Sequence, residues 1–169
     1  MLPAPLLTLS RVTLLVPLAF ASSLALAQAS GGDPPLAFTA GDKALKWGPC
    51  PEFLPKGCRL AVLHGDLSKN NADVFFQVPG KAKIPSHWHT SAERMVLVTG
   101  ELRATYDGHK PAVLKVGSYA YGPAKLPHDA ECVSAGPCTL FIAFESPVDA
   151  VPVEKKAAAP EKKEPGKKK

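Results

Sequence analysis

The sequence predicts an all-β protein, an antiparallel sandwich or barrel, and three observations carry that reading. Between Arg59 and Phe144, short runs rich in β-branched and aromatic residues alternate with Gly, Pro, Asn and Asp turn signals. No stretch of this region sustains the 3.6-residue apolar period of a long amphipathic helix. The composition, 46% hydrophobic and 21% charged over 169 residues, is that of one ordinary globular domain.

The expected strands run in order along the chain. Arg59–His64 ends at a Gly65-Asp66 turn, and Asp73–Val78 ends at Pro79-Gly80. Arg94–Thr99 ends at Gly100. Leu102–Tyr106 then meets Asp107-Gly108, a dipeptide whose tolerance of positive φ suits a tight hairpin. Ala112–Val116, Ser118–Tyr121 and Thr139–Phe144 complete the series. Pattern alone reaches antiparallel β; a jelly roll is one arrangement that manages the sheet edges and leaves an interior able to hold a ligand.

The two ends differ from this middle. Residues 1–27 carry one charged side chain, Arg11, ahead of a mostly apolar run of about sixteen residues. That is short of the roughly 20 needed to span a bilayer. Ala25-Leu26-Ala27 is a small-x-small cleavage site before Gln28, so residues 1–27 are expected to be a signal peptide. Ala27-Gln28-Ala29 offers a second cut, and an uncleaved anchor is the alternative. Residues 28–46 are expected to form a leader, with the cluster Ser30-Gly-Gly-Asp-Pro-Pro35 breaking regular structure.

The domain is placed at 47–150, and 151–169 is read as a disordered Lys-rich tail. Seven lysines and three glutamates there come with almost no large apolar side chain, so little surface can be buried to offset chain entropy. Without this tail and Arg11 the chain carries 12 basic and 12 acidic residues, so the basic balance is mainly a property of the tail. The tail has no interleaved aromatics and export separates it from the genome, so no nucleic-acid partner is expected. A solvated extension is the plain reading; weak electrostatic contact with an anionic envelope surface is the functional one. The expected location is periplasmic or secreted.

Four cysteines fall into two close pairs, Cys50 with Cys58 and Cys132 with Cys138. An even count in an exported chain favours disulfides, with three connectivities open and local pairing the simplest. Loops this short stabilise by roughly 2–3 kcal/mol on the chain-entropy model. Neither pair has the Cys-x-x-Cys spacing of a redox or soft-metal motif.

The chemistry concentrates in Ile84-Pro-Ser-His87-Trp-His89-Thr-Ser-Ala-Glu93. On a strand, His87 and His89 share a face, because side chains alternate with period two. Glu93 has the same parity, although Thr-Ser-Ala can form a turn that re-aims it. Alternate histidines on an exposed strand are often plain polar surface. Two imidazoles and a carboxylate within seven residues nevertheless make most of a transition-metal site, and His128 is the candidate for a further ligand. His64 and His109 lack such a setting. Ligation requires neutral imidazoles and an ionised Glu93, so affinity is expected to fall in mild acid.

The run His87-x-His89-x3-Glu93-x6-Gly100 resembles the first motif of the cupin superfamily, and Gly117-x5-Pro123-x-Lys125-x2-His128 resembles the second. The resemblance covers about Trp47 to Pro147. It implies an antiparallel jelly-roll barrel with His87, His89, Glu93 and His128 on a divalent transition metal: Fe, Mn, Ni, Cu or Zn. Three departures stand out: Gly80 lies one residue further from His87 than is usual, Lys125 replaces a glycine, and Cys132 stands where Asn is common.

The resemblance further implies either a dioxygenase-type enzyme acting on a small molecule or a non-catalytic metal or small-ligand binding module, with homodimers frequent. Tyr106, Tyr119 and Tyr121 are candidate pocket residues, although tyrosine on strands is more often packing. Trp88 is expected to face away from the metal. No nucleophile has an identifiable base, so Ser or Cys triad hydrolysis is not supported.

Overall fold

In the computed structural model, residues 33–154 are described. The chain divides into two units, Met1–Pro35 and Leu36–Lys169, and all eleven described strands lie in the second. The expected signal peptide lies outside the described residues, as does the tail from 155 onward.

Two antiparallel sheets form. The first holds β1 (Trp47–Pro49), β2 (Arg59–His64), β3 (Ala72–Val78), β10 (Cys138–Phe144), β5 (Glu93–Thr99) and β8 (Tyr119–Gly122), in the order β1-β2-β3-β10-β5-β8. The second holds β11 (Val151–Pro152), β4 (Lys83–Trp88), β9 (His128–Cys132), β6 (Leu102–Tyr106) and β7 (Ala112–Leu114), in the order β11-β4-β9-β6-β7. Among the described residues no helix is present, so none is long and apolar enough to cross a membrane.

Alternation of side chains builds the interior. Met95 and Leu97 on β5, Leu140, Ile142 and Phe144 on β10, and Leu102 and Ala104 on β6 are buried in one core at every second position. The Asp107-Gly108 hairpin closes as expected, with Gly108 at φ 74° and Leu102 opposite Leu114.

The structure corrects three boundaries. First, the expected barrel is not closed, for no strand of one sheet pairs with the other. The four edges are short strands of two to four residues, and Pro49 and Pro152 on two of them remove backbone donors. Such edges resist further pairing without closure.

Second, Val151–Pro152 pairs with Trp88 and His87 of β4, so the sheet includes the first residues of the expected tail. Third, part of the expected leader belongs to the domain. Thr39 and Asp42 close a turn, and Leu45 is buried against Ala61 and Phe75 on the outer face of the six-stranded sheet.

Both local disulfides form. Cys50–Cys58 clasps an irregular segment joining β1 to β2. Cys132–Cys138 joins β9 to β10 and so ties one sheet to the other. Two disulfides suit an oxidising, extracytoplasmic environment.

Candidate metal centre

A β-bulge aims the first histidine. On β4, Ile84 lies opposite Ala130 while His87 lies opposite His128, so three steps on β4 match two on β9. The extra residue resets the alternation: Ile84 and His87 are both buried, while Pro85 and Ser86 between them are exposed. Without the bulge, His87 would share the outward parity of exposed Lys83 and Pro85 and leave the interior. Tyr106 on β6 pairs with His128 from the other side. His87, His128 and Tyr106 therefore form one rung across three strands.

The opposite sheet contributes a second rung. Glu93 begins β5 and pairs with Phe144 on one side and Gly122 on the other. The turn Thr90-Ser91-Ala92 carries the chain from one sheet to the other, which is how Glu93 comes to face the histidines. His89 sits in this crossover. Asp149 fixes it, accepting from His89 Nδ1 through its carbonyl and from Thr90 N (2.7 Å) and Thr90 Oγ1 (2.5 Å) through its carboxylate. Buried Ser91 Oγ accepts from Glu145 N and Ser146 N, anchoring the same turn.

His87, His89 and His128 present ring nitrogens within 4.8 Å of one another. The Glu93 carboxylate lies 3.6 Å from His89 Nε2 and 3.5 Å from His128 Nε2. All four side chains are buried.

The hydrogen bonds fix the tautomers. His87 Nδ1 is 2.8 Å from the Pro85 carbonyl, His128 Nδ1 is 3.1 Å from the Leu126 carbonyl, and His89 Nδ1 meets the Asp149 carbonyl. A carbonyl only accepts, so each Nδ1 carries a proton and Nε2 is the nitrogen each ring turns inward. Burial and the neighbouring His128 hold His87 down at about 4. Burial also lowers His128, against the opposing pull of Glu93.

Three imidazole lone pairs and a carboxylate thus face one another at distances longer than the 2.7–3.2 Å of a good N–H···O bond. A cation resolves that repulsion. Donors each about 2.1 Å from one ion stand roughly 3.0–4.2 Å apart, which the Glu93 distances match. The three-histidine cluster is therefore able to hold a divalent metal.

Tyr106 Oη donates to Glu93 Oε1 at 3.3 Å, and its ring lies 4.9 Å from that of His128. Burial, then the Glu93 carboxylate, raises the Tyr106 hydroxyl well above its ordinary value, so it remains a donor. Tyr119 and Tyr121 are exposed, which separates Tyr106 from the other two tyrosine candidates. Gly122 makes the Glu93–Tyr106 contact feasible, since a Cβ there would sit 2.6 Å from both Glu93 Oε1 and Tyr106 Oη. Neither Gly122 nor Asp149 was legible as a site residue: one contributes only empty space, the other a backbone carbonyl 60 residues from its histidine.

Trp88 is half-buried and does not line the cavity, in keeping with its expected orientation. Lys125 adopts φ 63°, the left-handed conformation that explains a glycine preference there, and its N–H donates to the His89 carbonyl. Its exposed side chain does not line the cavity either.

The site forms the polar part of a cavity of about 220 Å³ between the sheets. Apolar side chains such as Leu60, Phe76, Met95, Leu140 and Ile142 make most of its wall. The disulfide-held segment contributes Cys50, Pro51 and Leu54, and its Phe53 ring lies 5.9 Å from that of His87.

Fold and site together define a small β-sandwich with a three-histidine cluster that could hold a divalent metal. Residues 74–144 match the family model described as a cupin domain. Over these residues the chain has the sequence pattern and the fold of a cupin domain.

The fold is shared with the DMSP lyase DddQ from Ruegeria pomeroyi DSS-3: TM-score 0.57, 19% identity, 67% of this chain and 63% of that one. It is also shared with an RmlC-like cupin from Shewanella frigidimarina NCIMB 400: TM-score 0.53, 21% identity, 68% of this chain and 93% of that one. A variant of Bacillus subtilis oxalate decarboxylase aligns with TM-score 0.51 and 23% identity, over 59% of this chain and 29% of that one. The match spans less than two thirds of the lyase and about three tenths of the decarboxylase. No curated protein matches by sequence.

Proposed function

We propose that this protein is an exported metal-dependent enzyme, an oxidoreductase of the dioxygenase type acting on a small molecule, with His87, His89, Glu93 and His128 as ligands. The observation that carries this reading is the convergence of the histidine Nε2 lone pairs and the Glu93 carboxylate beside free cavity space. Four protein donors leave positions for a ligand on Fe, Mn, Ni, Cu or Zn, and donor type does not choose among them. When bound, such a metal supplies polarisation of a substrate oxygen or, if redox-active, dioxygen chemistry.

The protein's own groups support metal-borne chemistry. No Lys or Arg lines the cavity, and Tyr106 is held protonated. The Asp149 carboxylate is occupied by Thr90. The chain thus offers a Tyr106 hydrogen bond, a fixed Glu93 and an apolar wall rather than a separate acid–base pair.

Export rests on the signal-peptide pattern of residues 1–27 and on the two disulfides. Homodimers are part of this reading, supported by exposed Val116, Tyr119 and Tyr121 and tested by sedimentation. The basic tail makes at most a weak electrostatic contact with the envelope.

Metal content of the protein isolated without added metal tests the centre. About one metal per chain is expected, lost in Glu93→Ala and His128→Ala. Oxygen uptake by the Fe(II)-loaded protein over phenols and thiols, abolished in His87→Ala, tests the enzyme. Saturable ligand binding without turnover would instead make the protein a binding module.

A further inference from the structure

The cavity wall also describes what the centre receives, an inference that rests on the metal reading above. We propose that the ligand is a small amphiphilic monoanion: one anionic oxygen group directed to the metal and an apolar body along Met95, Ile142 and Leu54. Three features of the lining lead there.

The first is charge. A divalent ion with three neutral imidazoles and the Glu93 carboxylate retains one net positive charge. That charge is matched by one anionic group, and no Lys or Arg among the lining residues is present to receive a second. Glu93 is already counted in that balance, and the Asp149 carboxylate is taken up by Thr90 N and Oγ1.

The second feature is hydrogen bonding. Away from the centre the wall is built from Leu60, Phe76, Met95, Leu140, Ile142 and comparable side chains, and the Tyr106 hydroxyl is already directed at Glu93. A polar body would lose its water without replacement partners, a cost of roughly 1–3 kcal/mol per group. The ligand's body is therefore apolar.

The third is size. A cavity of about 220 Å³ falls below the roughly 300–1,000 Å³ typical of drug-sized ligands. The segment between Cys50 and Cys58 sets one limit. Its turns are closed by Leu54 N to Pro51 O (3.0 Å) and Cys58 N to Pro55 O (2.9 Å), and Leu54 is buried in the core. Because the disulfide holds both ends of this segment, Leu54 is a fixed part of the wall.

Cobalt(II) titration of the full chain, read by visible absorption, first measures the centre alone. Acetate, butanoate, hexanoate, malonate and hexanamide are then added to the cobalt protein, with the band shift giving each affinity. Each methylene from acetate to hexanoate is expected to tighten binding about fourfold, the factor for about 0.8 kcal/mol per buried CH₂. Malonate and hexanamide are expected to bind at least about tenfold more weakly than hexanoate, since one adds a charge and the other lacks one.

Leu54→Ala is expected to weaken hexanoate severalfold and leave acetate unchanged, with the cobalt band showing that the fold persists. A flat series, or malonate binding more tightly than butanoate, overturns the proposal while the metal centre stands. Equal hexanoate binding by Leu54→Ala overturns the placement of the apolar body. Failure to bind cobalt overturns the centre and the ligand assignment together.

Discussion

The two sheets put unlike chemistry into one interior. The five-stranded sheet supplies His87, His128 and Tyr106 on a single rung, each held by its own strand pairing. The six-stranded sheet supplies only Glu93, and beside it Gly122, whose contribution is room. The nitrogen donors His87 and His128 therefore lie on one wall and the Glu93 carboxylate on the other. A site divided in this way depends on how firmly the walls are held together. His89, carried by the crossover, and the Cys132–Cys138 bridge both join the two sides.

The largest effect should come from removing a donor. His128→Ala or His87→Ala is expected to lower metal affinity by more than about a hundredfold, since loss of mere outer-shell partners already costs about 10–100-fold. Isothermal titration with Zn(II) measures this, and near-normal affinity in either variant would remove that histidine from the centre.

The bridge between the sheets comes next. Cys132→Ser with Cys138→Ser is expected to lower stability by about 2–3 kcal/mol in urea unfolding. If the bridge also sets the spacing of the walls, metal affinity falls with it; unchanged affinity would show that packing alone holds the rungs in register.

On the opposite wall, Gly122→Ala tests room rather than chemistry. The added Cβ would collide with Glu93 Oε1 and Tyr106 Oη, with an overpacking cost of about 1–3 kcal/mol. Metal affinity should fall while Tyr106→Phe, which only removes a long hydrogen bond, loses about tenfold. A Gly122→Ala protein with wild-type affinity would mean that Glu93 is not held where the structure has it.

The smallest effect separates the walls by pH. His87 is depressed to about 4 in the folded protein against about 6.5 unfolded, so the unfolded state binds more protons in acid. Its contribution is fully present above about pH 6.5 and is lost as pH falls towards 4. For the metal-free protein the loss between pH 7 and 6 from this group is under about 1 kcal/mol, steepening below. Urea midpoints over this range should show it, and His87→Phe should flatten the profile. The same shift keeps the His87 lone pair available to an ion well below the usual histidine range.

Much of this was legible in the chain itself. Short apolar runs between turn residues gave β2, β3, β5, β6 and β10 to within a residue or two, because period-two burial and turn chemistry are local properties. The spacing His87-x-His89-x3-Glu93 placed three donors together for the same reason, since seven residues cannot separate far. Cysteine proximity likewise anticipated both bridges.

Tertiary structure decided what depends on distant partners. The bulge at Pro85–Ser86 is visible only in the register of β4 against β9, yet it determines that His87 faces inward. Asp149 and Gly122 act through a carbonyl and an absent side chain, which leave no compositional mark. Leu45 and Val151 joined the domain because Phe75 and β4 offered them a surface and a partner. The sequence by itself determined the kinds of donor and the strands that carry them, since residue identity and local periodicity are written along the chain. Only the packing of two sheets decided which lone pairs meet, and how little else in the cavity is polar.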